Sequence, residues 1–142
     1  MLTDKKVKIS ETIHAPAPEV WKALTDKKMI KQYFFGTEAE SEWKKGSSIT
    51  FTGQWEGQEY VDKGTILDIV KEKRLSFAYW SSMSGLEDKP ENYATVTYVI
   101  EPGNGQTNLT VTQEGFKDEQ AYEHSVSGWQ KVLKNLKALV EE

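Results

Sequence analysis

Residues 118–142 carry apolar side chains at Tyr122, Val126, Trp129, Leu133, Leu136 and Val140, in alternating steps of four and three. That spacing lays one stripe along an α-helix, and Val132 and Leu139 widen it. Nearly everything before this segment reads as short alternating strands. A lone helix with so broad an apolar face, following a run of antiparallel strands, buries that face most economically inside a curved sheet. The spacing therefore predicts an α+β chain whose sheet wraps the carboxy-terminal helix. Between the two there is room for a cavity that aromatic side chains can line.

A chain of 142 residues is the size of one domain, and a chain near that size buries roughly 70% of its unfolded surface on folding. Residues 1–142 are accordingly read as one domain. The absence of cysteine excludes disulfides, thiol catalysis and thiolate metal sites, and suits a reducing cytoplasm. The amino terminus, Met1-Leu2-Thr3-Asp4-Lys5-Lys6, has no apolar stretch behind its charges, so no secretory signal is expected. No apolar run approaches the roughly 20 residues of a membrane helix. The net charge is −4, and the lysines fall in scattered pairs (Lys5-Lys6, Lys27-Lys28, Lys44-Lys45). Nucleic acid needs a concentrated basic face, so neither nucleic-acid binding nor membrane insertion is expected.

Along the chain, Val7, Ile9 and Ile13 alternate with Lys8, Ser10 and Thr12 as in a half-buried strand. Glu11 falls on the apolar side of that alternation. Ala15-Pro16-Ala17-Pro18 ends the strand, because proline removes a ladder donor, and Pro18 suits the first turn of a short helix with Val20, Trp21 and Leu24 on its apolar face. Asp26 can cap a second short helix carrying Met29, Ile30 and Tyr33. From Gly36 the chain reads as strands and turns: one stretch up to the Lys45-Gly46 turn, then strands at Ile49–Trp55, about Tyr60–Ile69, Leu75–Tyr79, Ala94–Ile100 and Leu109–Gln113. Residues 81–90, rich in Ser, Gly, Asp and Pro, form the longest loop and the candidate lid, and Pro102-Gly103-Asn104-Gly105 is a hairpin turn. The expected order is strand, two helices, six strands, helix.

These segments resemble the helix-grip fold of the birch-pollen-allergen and StAR-related lipid-transfer superfamily. More narrowly, the chain is similar to the activator of heat shock protein 90 ATPase homologue family in its single-domain form. The matching stretches begin with Ala15-Pro16-Ala17-Pro18-Glu19-Val20-Trp21-Lys22-Ala23-Leu24-Thr25, Gly64-Thr65-Ile66-Leu67-Asp68-Ile69 and Lys73-Arg74-Leu75-Ser76-Phe77. Leu109-Thr110-Val111-Thr112-Gln113-Glu114-Gly115-Phe116 and Gly128-Trp129-Gln130-Lys131-Val132-Leu133 complete a match over residues 7–140. The resemblance implies a curved antiparallel sheet of about seven strands around the long helix, with two short helices after the first strand. It also implies a cavity that holds a hydrophobic or amphipathic small molecule. The same scaffold serves cyclases, hydrolases and stress-response proteins, and no segment here is read as the separate amino-terminal chaperone-binding domain of the larger relatives.

No catalytic constellation is legible. The two histidines, His14 and His124, have no histidine partner at ligand spacing; both read as surface groups, and a zinc site would want three or four ligands. No serine sits in a Gly-x-Ser-x-Gly turn, and Gly103-Asn104-Gly105 lacks the following helix of a phosphate cradle. Neither a metal nor a cofactor is expected. Asp62 and Asp68 are read as sharing one strand face, with Tyr60 and Ile66, and as turned to solvent. Glu11 is the carboxylate of interest, since on an apolar face it can anchor a ligand's polar end or work as an acid or base.

The aromatic side chains carry the strongest signal. Five tryptophans and six tyrosines exceed what packing requires, and both types bring a polar handle to a buried surface. Trp129 and Tyr122 are expected on the helix side of a pocket. Phe51, Trp55, Phe77 and Tyr98 are expected on the sheet side, with Tyr60 and Tyr79 beside them. Trp43 and Phe35 are expected near the mouth, and Glu11 or a tyrosine hydroxyl at a polar end. The leading expectation is a cytoplasmic binding protein for a hydrophobic or aromatic small molecule. A module that contacts a heat-shock chaperone and modulates its ATPase ranks second, and an enzyme using acid–base chemistry in the same cavity ranks third.

Overall fold

The computed structural model describes residues 5–34, 36–55, 57–81 and 86–141, apart from the Trp55 side chain. The order is β1 (Lys6–Ile13), α1 (Ala17–Thr25), α2 (Lys27–Tyr33), β2 (Glu38–Ser41), β3 (Ser48–Trp55), β4 (Gln58–Val70), β5 (Arg74–Ser81), a 3₁₀ turn (Pro90–Asn92), β6 (Ala94–Gly103), β7 (Gln106–Glu114) and α3 (Glu119–Val140). All strand pairs are antiparallel, in the sheet order β1-β7-β6-β5-β4-β3-β2. This is the helix-grip arrangement: a curved sheet around the long carboxy-terminal helix.

Local chemistry sets the boundaries. Pro16 and Pro18 bracket the start of α1. Asp26 caps α2, its Oδ1 accepting from the backbone N–H of Lys28 at 2.8 Å and of Met29 at 3.3 Å. Asp118 caps α3 through the Ala121 N–H at 2.8 Å. At the far end of α3, Glu141 ties the helix to the β1–α1 turn. Its Oε2 accepts from the His14 backbone N–H at 2.8 Å and lies 2.9 Å from Lys137 Nζ and 3.3 Å from His14 Nδ1.

The concave face of the sheet supplies Val7, Ile13, Ile49, Ile66, Leu75, Leu109 and Val111, against Val132, Leu133 and Leu136 of α3, all of them buried. The register departs from simple alternation at one place. Ile66 pairs with Phe77, but Asp68 pairs with Ser76, so Leu67 is an extra residue in β4. Such a bulge reverses the faces beyond it. It corrects the expectation that Asp62 and Asp68 share a solvent-facing side. Asp62 points inward and is 8% exposed, whereas Asp68 sits on the outer face, where Arg74 Nη2 is 2.6 Å away.

Candidate functional site

A cavity of about 750 Å³ lies between α3 and the β3–β7 part of the sheet. Its origin is side-chain size. The flank of α3 that faces it carries Ala121, Ser125 and Gly128, and a Cβ on Gly128 would meet nothing within 4 Å. Next to this flank runs the apolar stripe through Val126, Leu133 and Leu136, which packs into the core. Trp129 stands where flank and stripe meet.

Five rings close a circuit around the hollow. Phe34, at the end of α2, stacks on Phe51 at 6.4 Å between centroids, and Phe51 lies 5.8 Å from Phe77. Phe77 lies 6.4 Å from Tyr98, which meets Trp129 edge-on at 5.8 Å. Trp129 returns to Phe34, again edge-on, at 5.9 Å. Edge-on and tilted contacts of this kind favour fixed ring orientations over simple collapse. The circuit links β3, β5, β6, α2 and α3, so each element holds the others' rings in place.

Polar groups sit at set points around this wall. Tyr79 donates to Asp62 Oδ2 at 2.5 Å; burial lifts the Tyr79 hydroxyl well above its usual range, and the Asp62 charge lifts it further. Tyr60 lies across Gly53, where any Cβ would come within 2.5 Å of its hydroxyl oxygen. That clearance lets Tyr60 share a 2.5 Å hydrogen bond with the buried Thr37. Gln113 of β7 receives the Trp129 indole N–H at 2.7 Å and the Ser125 hydroxyl at 3.0 Å on its Oε1. Burial also raises Tyr98 and Tyr33; the Tyr33 hydroxyl donates to the Ala23 carbonyl at 2.9 Å. His124, Gln120 and Lys117 line the mouth at the start of α3, opposite Trp80 and Leu86.

The family model of Activator of Hsp90 ATPase homolog 1-like proteins matches residues 14–141. The chain belongs to that family. Among solved structures, the Cytophaga hutchinsonii protein ChR145 is 35% identical, with 99% of this chain and 96% of that one covered at a TM-score of 0.83. MLL2253 of Mesorhizobium loti is 22% identical, with 96% and 97% covered and a TM-score of 0.81. CalU16 of Micromonospora echinospora is 23% identical, with 96% and 76% covered and a TM-score of 0.76. The last two show the shared fold. Comparison with proteins of curated function returned no match.

Within this Activator of Hsp90 ATPase homolog 1-like fold, seven of the aromatic residues singled out from sequence line the cavity: Trp43, Phe51, Tyr60, Phe77, Tyr79, Tyr98 and Trp129. Trp43 has a left-handed backbone, φ 56°, and also borders a shallower hollow of about 370 Å³ beside Trp21 and Lys71. Phe35 and the Trp55 side chain lie outside the described residues, as do residues 82–85 of the candidate lid. Tyr122 is not on the cavity wall, because the helical twist turns it toward Phe116, whose ring it meets at 5.6 Å, and toward Lys5. Glu11 shares the inner face, opposite Leu109. However, β1 is an edge strand that runs beside α3 beyond the hollow, so Glu11 is half-buried there and does not line it.

Several lining groups escaped the sequence reading. Ala121, Ser125 and Gly128 carry no hydrophobic signal, although their i, i+4, i+7 spacing marks one helix line. Asp62 was masked by the bulge. Gln113 reads as the end of a strand until Trp129 is placed beside it. Among the described residues no three His, Asp or Glu side chains gather as metal ligands, and no helix is long and apolar enough to cross a membrane.

Proposed function

We propose that this protein binds a small apolar, ring-bearing molecule in the cavity between α3 and the sheet. The closed circuit of Phe34, Phe51, Phe77, Tyr98 and Trp129 supports this reading most directly. A core formed only for stability would collapse onto those rings. Here small residues on α3 keep about 750 Å³ open beside them, within the usual range for ligand pockets. The fixed polar points (Asp62 with Tyr79, and Gln113) would orient a bound molecule, and the exposed residues at the start of α3 form its way in.

A thermal-shift screen against aromatic and lipid-like compounds tests the proposal. A ligand at 100 times its dissociation constant adds about 2.7 kcal/mol, a rise on the order of 5 °C for a domain of this size. The reading requires that such a rise disappear in Gly128→Leu, which fills the hollow from the helix side. A rise that persists in Gly128→Leu would place binding elsewhere on the molecule.

A further inference from the structure

Most polar groups on the cavity wall are committed to neighbours, as with Tyr79 to Asp62, Tyr60 to Thr37 and Tyr33 to Ala23. Two are not. Tyr98 is 6% exposed, lines the hollow, and its hydroxyl makes no hydrogen bond to any described residue. The Gln113 amide is held by two donors on its oxygen, the Trp129 indole and the Ser125 hydroxyl. That arrangement assigns Oε1 to α3 and leaves the NH₂ group on the other side. This NH₂ donates to no described residue.

The two groups are neighbours by register. Gln113 pairs with Val96, and Tyr98 lies two residues further along the same strand, on the same face. Such diagonal positions in an antiparallel pair are about 7–8 Å apart. One side chain holds both, since Trp129 gives its N–H to Gln113 and its ring edge contact to Tyr98.

We propose that Tyr98 and Gln113 form a two-donor subsite for a neutral carbonyl oxygen (ketone, ester or amide) carried by the apolar molecule in the cavity. The inference rests on the binding function proposed above. Both groups meet the ligand as hydrogen-bond donors. The amide NH₂ only donates, and burial keeps the phenol protonated through neutral pH. A carboxylate is disfavoured at the same place. The basic side chains among the described lining residues, Lys117 and His124, are both exposed at the mouth, while Asp62 contributes negative charge to the same hollow. A carboxylate would lose its hydration without a compensating charge.

The test uses the full chain and three probes of one shape: 2-acetylnaphthalene, 2-ethylnaphthalene and 2-naphthoate. Dissociation constants are read by NMR from the Trp129 indole N–H. The expected result is acetyl binding about tenfold tighter than ethyl, the worth of a well-placed buried hydrogen bond, with naphthoate weaker than acetyl. Tyr98→Phe, which leaves the Gln113 donor in place, should lower the acetyl-to-ethyl ratio severalfold. Gln113→Glu, which keeps the acceptor for Trp129 and Ser125 but removes the donor, should do the same. Tyr98→Phe should also fold with undiminished thermal stability, because its hydroxyl has no bond to lose; a residue kept for structure would behave oppositely. Acetyl binding no tighter than ethyl, or a ratio that survives Tyr98→Phe, overturns the subsite and leaves the binding proposal standing. Failure of all three probes to bind overturns both.

Discussion

The two halves of α3 face the same sheet and do opposite things. The carboxy-terminal half inserts Val132, Leu133 and Leu136 into the core, each with almost no exposure, and the space there is filled. The amino-terminal half presents Ala121, Ser125 and Gly128, and the space there stays open. Side-chain volume distinguishes the two: the chamber half carries alanine, serine and glycine where the filled half carries valine and leucine. Trp129 belongs to both: its ring closes the chamber wall while its neighbours Val132 and Leu133 begin the filled region. A helix-grip domain can thus acquire a binding site by leaving volume out of one helix flank, with no change to the apolar stripe that makes it fold.

The sharpest way to break this contrast is at its hinge. Trp129→Ala removes two ring contacts and one of the two donors to the Gln113 oxygen, and should cost about 3–5 kcal/mol in chemical denaturation while abolishing ligand-induced stabilisation. Leu136→Ala, in the solid half, should cost about 2–5 kcal/mol yet leave ligand affinity intact; a loss of affinity comparable to that of the tryptophan variant would show that the halves are not independent. Filling the open half reverses the pattern. Gly128→Leu should eliminate binding in titrations and hold or raise stability, since glycine inside a helix costs about 1 kcal/mol.

Titration gives smaller effects with defined signs. Tyr33, Tyr79 and Tyr98 have folded pKa values above their ordinary 10.0. Their neutral forms therefore favour the folded state fully below pH 10, and that contribution is lost as pH rises through the window above it. Alkaline unfolding should begin there and move to higher pH in Tyr98→Phe. Glu141 shifts the other way, lowered from its ordinary 4.5 first by the His14 N–H and then by Lys137. Its contribution is present above pH 4.5 and fades as pH falls below it. Glu141→Gln should flatten that part of the acid limb slightly, as expected of an exposed tie, and leave the alkaline limb unchanged.

Much of this layout was legible from periodicity. Two-residue alternation marked the inward side chains of β3, β5, β6 and β7, and prolines 16 and 18 and Asp26 marked the two short helices, because these signals act over a few residues. What periodicity reports is where an element touches the core. It carries no mark for a place where contact is withheld, so Tyr122 drew attention that belonged to Ala121, Ser125 and Gly128. The bulge at Leu67 put Asp62 on the opposite face from Asp68 and so overturned the reading of Asp62, because leucine carries no local bulge signal; the extra residue exists only in the pairing with β5. Gln113 and Trp129 are 16 residues apart, and their hydrogen bond forms only once α3 folds back across β7.

The far edge of the sheet has a consequence for handling the protein in concentrated solution. β2 is four residues long, and its Glu38 and Glu40 reach back to Lys31 and Lys27 of α2 at 3.2 and 3.7 Å. A strand so short, fringed with paired charges, offers a passing chain little unpaired backbone and no apolar surface on which to begin a ladder. Colloidal stability at millimolar concentration should accordingly depend on these glutamates more than folding stability does.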